Sequence, residues 1–185
     1  HIELMTDDNF EKGDDVYLDE KVFLNNIKNG FIVITQLNCF IECFLNAILN
    51  FCIGYNEEAL LKCNHQEKLD IIFLYYSKDL SSIKNQNCWA SYKKTTKVRN
   101  EMIHFKRKYI GHSGSFANFE LGNTMVGNFF TKAHMKKMFD DHMMLAKEIA
   151  KVLDLVICDD VGIFTNQGTG EEIDYVRPMD RKRHK

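Results

Sequence analysis

Apolar residues recur at helical spacing from about Leu18 to Cys52, through Phe23, Ile27, Phe31, Ile34, Leu37, Ile41, Phe44 or Leu45, Ile48 and Phe51. A stripe this long calls for other helices, because a lone helix cannot shelter its own apolar face. The chain has one proline, Pro178, far from this stretch. Nothing in residues 18–52 therefore removes a backbone donor or forces a neighbour out of the helical region. Gly30 is the interior position expected to bend or divide the helix, and Gly54 stands where a C-terminal cap belongs.

Three further segments carry the same period. Gln66 to about Lys78 places Leu69, Ile72, Phe73 and Tyr76 on one side. Cys88 or Trp89 to Tyr109 does so with Tyr92, Thr95 or Thr96, Val98, Met102, Ile103 and Phe105. Thr131 to Ile157 repeats Met135, Met138 or Phe139, His142, Leu145, Ile149, Val152 or Leu153, and Val156, with Thr131 as N-cap. Residues 54–65 read as a connector with a short helix at Glu57–Lys62, 79–87 as a polar linker, and 116–130 as a loop without period. Gly162 to Val176 alternates around Asn166–Gly170 and predicts a β-hairpin. The expected fold class is all-α: a four-helix up-and-down bundle over 18–157, with an acidic irregular segment at 1–17 and a small C-terminal β-hairpin plus basic tail at 158–185.

With 185 residues, 45% apolar and 27% charged, the chain has enough material for one domain with a real core. Its net charge of −2 hides an uneven distribution. The first twenty residues are acidic, whereas 93–108 and the tail (Arg177, Arg181–Lys185) are basic. The six cysteines include no C-x-x-C pair, and Cys39 and Cys43 lie within the apolar helix. They are expected to be buried, reduced thiols of a cytoplasmic protein. The first twenty residues lack the apolar core of a signal peptide. Thr35, Gln36, Asn38, Glu42, Asn46 and Asn50 interrupt residues 31–53, so no membrane span is expected there.

The basic window holds Lys93, Lys94, Lys97, Arg99, Lys106, Arg107 and Lys108 against one acid, Glu101. Inside it runs Arg99-Asn100-Glu101-Met102-Ile103-His104. A permanent cation, a carboxamide and an imidazole that exchanges protons near neutrality suit chemistry on a phosphodiester, and the surrounding lysines suit a polyanion. On a helix Asn100 and His104 share a face, but Arg99 and His104 stand roughly 140° apart, so a second copy of the motif is expected to complete a site. The competing reading is a surface arginine and a histidine lining a core. Glu42 and Asn46 fall one turn apart on the first, largely apolar segment, where a carboxylate needs a partner.

This combination resembles the HEPN family, a helical domain of RNases in prokaryotic toxin and antiphage systems and in eukaryotic RNA-cleaving receptors. Its marker, R-x(4–6)-H, commonly R-N-x-x-x-H, is met by Arg99, Asn100 and His104. The resemblance spans roughly 18–157 and implies a metal-independent endoribonuclease, a toxin or defence effector. In such enzymes the 2′-OH attacks the adjacent phosphate and leaves a 2′,3′-cyclic phosphate. It implies His104 as general acid or base, Arg99 stabilising phosphoryl charge, Asn100 orienting His104 or holding a phosphate oxygen, and Glu42 and Asn46 as supporting polar groups. It further implies RNA contacts from Lys93, Lys94, Lys97, Lys106, Arg107 and Lys108, a homodimer, and a restraining antitoxin or other regulatory protein. No metal or cofactor is implied. One toxin branch carries a tyrosine two residues after the histidine. Lys106 stands there, which disfavours that branch's modifying antitoxin. The alternative is a catalytically silent HEPN-like module that binds RNA, nucleotide or protein.

Weaker constellations remain. Cys52, Cys63 and His65 read either as a metal set or, at poor zinc spacing, as loop and surface residues. His134 and His142, near Asp140 and Asp141, read as a metal face or a solvated helix. His112, Trp89 and Arg181–Arg183 are expected to be a turn residue, a core residue and a solvated terminus.

Overall fold

The computed structural model describes residues 1–7, 20–54, 60, 62–103, 120–121, 124–125, 129–157 and 164–166. The described chain is predominantly helical, as an all-α class requires. Its helices are α1 (Glu20–Ala47), α2 (His65–Tyr75), α3 (Ser81–Lys84), α4 (Asn87–Ile103) and α5 (Lys132–Val152). Two short antiparallel ladders accompany them. β1 (Glu120–Leu121) pairs with β2 (Thr124–Met125), and β3 (Leu155–Ile157) pairs with β4 (Phe164–Asn166). The chain divides into two compact units: His1–Cys39 with Asn87–Met143, and Phe40–Gln86 with Met144–Lys185.

In the first unit the core is Met5, Val33, Ile34, Leu37, Val98, Phe129, Phe130, Met135 and Met138, flanked by Ile2, Ile27, Phe31 and Met102. Its N-terminal residues are held in place rather than loose. Asn26 donates to Thr6 O and accepts from Thr6 N, Asn25 donates to Leu4 O, and Lys132 pairs with Glu3 at 2.7 Å. Residues 8–19, the rest of the expected acidic segment, lie outside the described residues. The N-cap falls on Thr131 as expected: its Oγ1 accepts from His134 N at 3.2 Å. Met138 is buried whereas Phe139 is exposed, which settles that alternation.

Gly30 does not divide α1, which runs through it. Packing instead requires the glycine: a Cβ at Gly30 would meet Cδ1 of the Phe130 ring, with Cε1 at 2.9 Å. Phe130 is itself buried, so the ring has nowhere to go. Gly30→Ala should therefore destabilise by about 1–3 kcal/mol despite alanine's better helix propensity. Urea unfolding reads this directly, and a variant more stable than wild type would show that the ring yields.

In the second unit Ile41, Phe44, Leu45, Ile48 and Leu49 continue the α1 stripe and are buried, as are Leu69, Ile72, Phe73, Ile83, Leu145 and Ile149. Past Ala47 the helix widens into a π turn, Ile48–Cys52, closed by Ile53 N to Ile48 O at 3.1 Å. Gly54, with φ 72, stops it. Asn64 starts α2 through a capping box with Glu67. The linker expected at 79–87 contains α3, because Asp79 accepts from Ser81 N and Ile83 is buried. Those hydrogen bonds from Ser81 hold the Asp79 carboxyl below its ordinary value.

The last helix ends at Val152, five residues before the expected Ile157. Asp154 takes φ 57, and Leu155–Ile157 leave as a strand. Phe164–Asn166 pairs with that strand, and residues 167–176 of the hairpin expected at 162–176 lie outside the described residues. Cys39 and Cys43 are exposed, not buried, because they fall on the opposite side of α1 from Leu37, Ile41 and Leu45. By length and composition alone, Leu24–Asn50 could cross a membrane, with mean hydropathy 1.7, and half of that stretch is buried inside the protein.

Candidate functional site

Arg99 and Asn100 lie in the last turn of α4. Val98 is fully buried and anchors this turn, which leaves Arg99 half-buried and Asn100 exposed. Arg99 Nη1 donates to Asn100 Oδ1 at 2.9 Å. The carboxamide thus holds the guanidinium, whose other Nη donors have no hydrogen-bond partner among the described residues. Arg99 Nε is buried and has no hydrogen-bond partner among the described residues. His104 lies outside the described residues, as do Lys106, Arg107, Lys108 and His112.

The other basic residues of α4 differ in setting. Lys93 is exposed and stands 5.7 Å from the Trp89 ring centre. Lys97 pairs with Glu101 at 3.9 Å, an i,i+4 contact of small energetic weight. Lys94 is half-buried above Phe129, 5.3 Å from its centre, and burial followed by nearby Lys137 lowers its pKa. Trp89 is buried, as expected of a core residue.

Glu42 and Asn46 belong to the second unit, whereas Arg99 and Asn100 belong to the first. Both are already engaged. Lys68 Nζ donates to Glu42 Oε1, and to Asn46 Oδ1 at 2.9 Å. His65 Nε2 lies 2.5 Å from Glu42 Oε2, and Asn46 Nδ2 lies 3.5 Å from Glu42 Oε1. Lys68 is fully buried, so its ammonium requires these acceptors. The partner anticipated for Glu42 is therefore a lysine and a histidine of α2. The signal for Lys68 was present: it lies four residues before Ile72, on the apolar side of the helix.

A second constellation, which the periodicity concealed, lies on α5. His134 packs on Phe129 at 5.0 Å, and burial, then Lys94 and Lys137, lowers its pKa from 6.5 to about 4. His142 is fully buried, so the solvated reading fails for it. Its Nδ1 sits 2.7 Å from Met138 O, which requires the Nδ1–H tautomer, and burial lowers its pKa. Asp141 accepts from Ser91 Oγ and from Lys137 at 2.7 Å. Burial raises its pKa, but those two bonds outweigh burial and leave the carboxyl below its ordinary value. No group of three or more His, Cys, Asp or Glu side chains among the described residues is placed to hold a metal ion. In particular, His65 is engaged with Glu42 and Cys52 with Tyr76.

The lowered histidines set a pH dependence. Their folded pKa lies below the unfolded value near 6.5, so below that pH the unfolded chain binds more protons. Stability is therefore full above pH 6.5 and falls as pH drops toward about 4, where the loss due to His134 levels off. For half-exposed His134 the expected loss is on the order of 1–2 kcal/mol. Urea midpoints across this range should fall with acid, and His134→Gln should flatten part of the slope. A flat wild-type profile would contradict the burial argument.

Comparison with protein-family models, with curated proteins and with solved structures returns no match.

Proposed function

We propose that this chain is a HEPN-type, metal-independent endoribonuclease, a cytoplasmic homodimer of the toxin or antiphage-defence kind. The bond from Arg99 to Asn100 carries the reading. It fixes a half-buried guanidinium on a basic helix, and His104 follows Asn100 by four residues in the sequence. The predominantly helical fold supports an up-and-down bundle. On α1, Asn26, Asn29 and Asn38 are buried and hydrogen-bonded to protein partners, which supports a core helix rather than a membrane span. In the mechanism His104 removes the 2′-OH proton or protonates the leaving 5′-oxygen, while Arg99 stabilises charge on the phosphoryl oxygens.

Single-stranded RNA incubated with the full chain in EDTA should be cut to products ending in 2′,3′-cyclic phosphate. RNA left intact with and without divalent cations would overturn the reading. One observation favours the silent binding module instead: Glu42 and Asn46 are committed to Lys68 and need no catalytic partner. On that reading RNA binds uncut, and neutralising Lys93, Lys94, Lys106 and Lys108 flattens the salt dependence of binding.

A further inference from the structure

We propose that Lys94, His134 and Lys137 form a binding site for a phosphate-class oxyanion in the first unit. The two lysines come from different helices, α4 and α5: Lys137 stands three residues from His134, on the same face of α5, and the charges of both lysines act against the His134 proton. Phe129, fully buried, holds two of the three in place: Lys94 lies 5.3 Å and His134 5.0 Å from its ring centre. Lys94 has no acidic partner among the described residues, and Asp141 is bonded to Lys137 at 2.7 Å and to Ser91. His134 Nε2 is buried without a hydrogen-bond partner there. The described charged groups facing His134 are thus two cations and one acid. An oxyanion would relieve the repulsion, accept from both lysines and restore the imidazole proton as a third donor.

Anion binding is thereby linked to protonation. If the anion returns His134 to its usual range near 6.5, affinity rises about tenfold between about pH 7.5 and 5.5, with a proton taken up. The site is independent of the cleavage chemistry. It extends the RNA reading only if the anion is a strand phosphate.

The probe is inorganic sulfate, a dianion throughout this range, titrated into the full chain by calorimetry and by the imidazole resonances of His134. The expected result is tighter binding in acid with proton uptake, a pH-independent residual affinity in His134→Gln, and about tenfold weaker binding in Lys94→Gln and in Lys137→Gln. Lys94→Arg, which keeps the charge, should bind like wild type and controls for folding. Competition in the uncut background of His104→Ala then identifies the source. Displacement of sulfate by single-stranded RNA points to a backbone phosphate, and displacement by inorganic phosphate alone points to a free anion. Wild-type affinity that ignores pH, or survives Lys94→Gln unchanged, overturns the site whether or not the chain cleaves RNA.

Discussion

Arg99→Ala is expected to slow RNA cleavage by a factor on the order of 10²–10³, the usual cost of removing a donor aimed at transition-state charge. His104→Ala should cost on the order of 10²–10⁴, as loss of a general acid or base does. Neither change should unfold the chain. Arg99 sits on the half-exposed side of α4, while Val98 beside it carries the core packing. Alanine also favours a helix more than arginine does. Arg99→Lys keeps the charge but loses the fork that bonds Asn100 and, on the proposed mechanism, would also reach a phosphoryl oxygen, so it should recover little activity. The measurement is single-turnover cleavage with far-ultraviolet circular dichroism on the same samples. Cleavage within about threefold of wild type in folded His104→Ala would remove the mechanism.

Glu42→Ala should destabilise the second unit by about 2–4 kcal/mol, because it strips the carboxylate from a fully buried ammonium. Asn46 would remain as a neutral acceptor at 2.9 Å, too weak to replace a charge. Lys68→Met is expected to behave differently. It removes the buried charge, fills the same volume, and leaves Glu42 about one-third exposed beside His65, so the loss should stay within about 1 kcal/mol. The asymmetry between the two partners is the test, read as urea unfolding free energies. If Glu42→Ala is as mild as Lys68→Met, the Lys68 ammonium is not held by this carboxylate. Cleavage measured on folded Glu42→Gln separates the two roles. Lost cleavage without lost stability would return Glu42 to the RNase site.

Much of the fold was readable because burial follows period. Ile34, Leu37, Ile41, Leu45 and Ile48, marked by spacing alone, are buried on α1. Met135, Met138, His142, Leu145 and Ile149 do the same on α5. The errors have equally local causes. A short helix at Ser81–Lys84 has too few residues to show a period, and Asp79, which accepts from Ser81 N ahead of it, reads as linker chemistry. Cys39 and Cys43 were placed inside by residue type, although their phase on the helix puts them outside. Of the candidate site, the identities on α4 could be read, while the Arg99–Asn100 bond could not. Neighbouring helical residues diverge, and only a long side chain turns back.

The order of apolar and polar residues by itself determined that this chain forms long helices, where most begin, and which sides they bury. Those properties depend on neighbours within one or two turns. Only tertiary structure decided that Gly30 serves the Phe130 ring, that Glu42 answers Lys68 and His65, and that Lys94 and His134 share the Phe129 ring. Each of these joins residues tens of positions apart, and no local period records which distant side chain will supply the missing volume or charge.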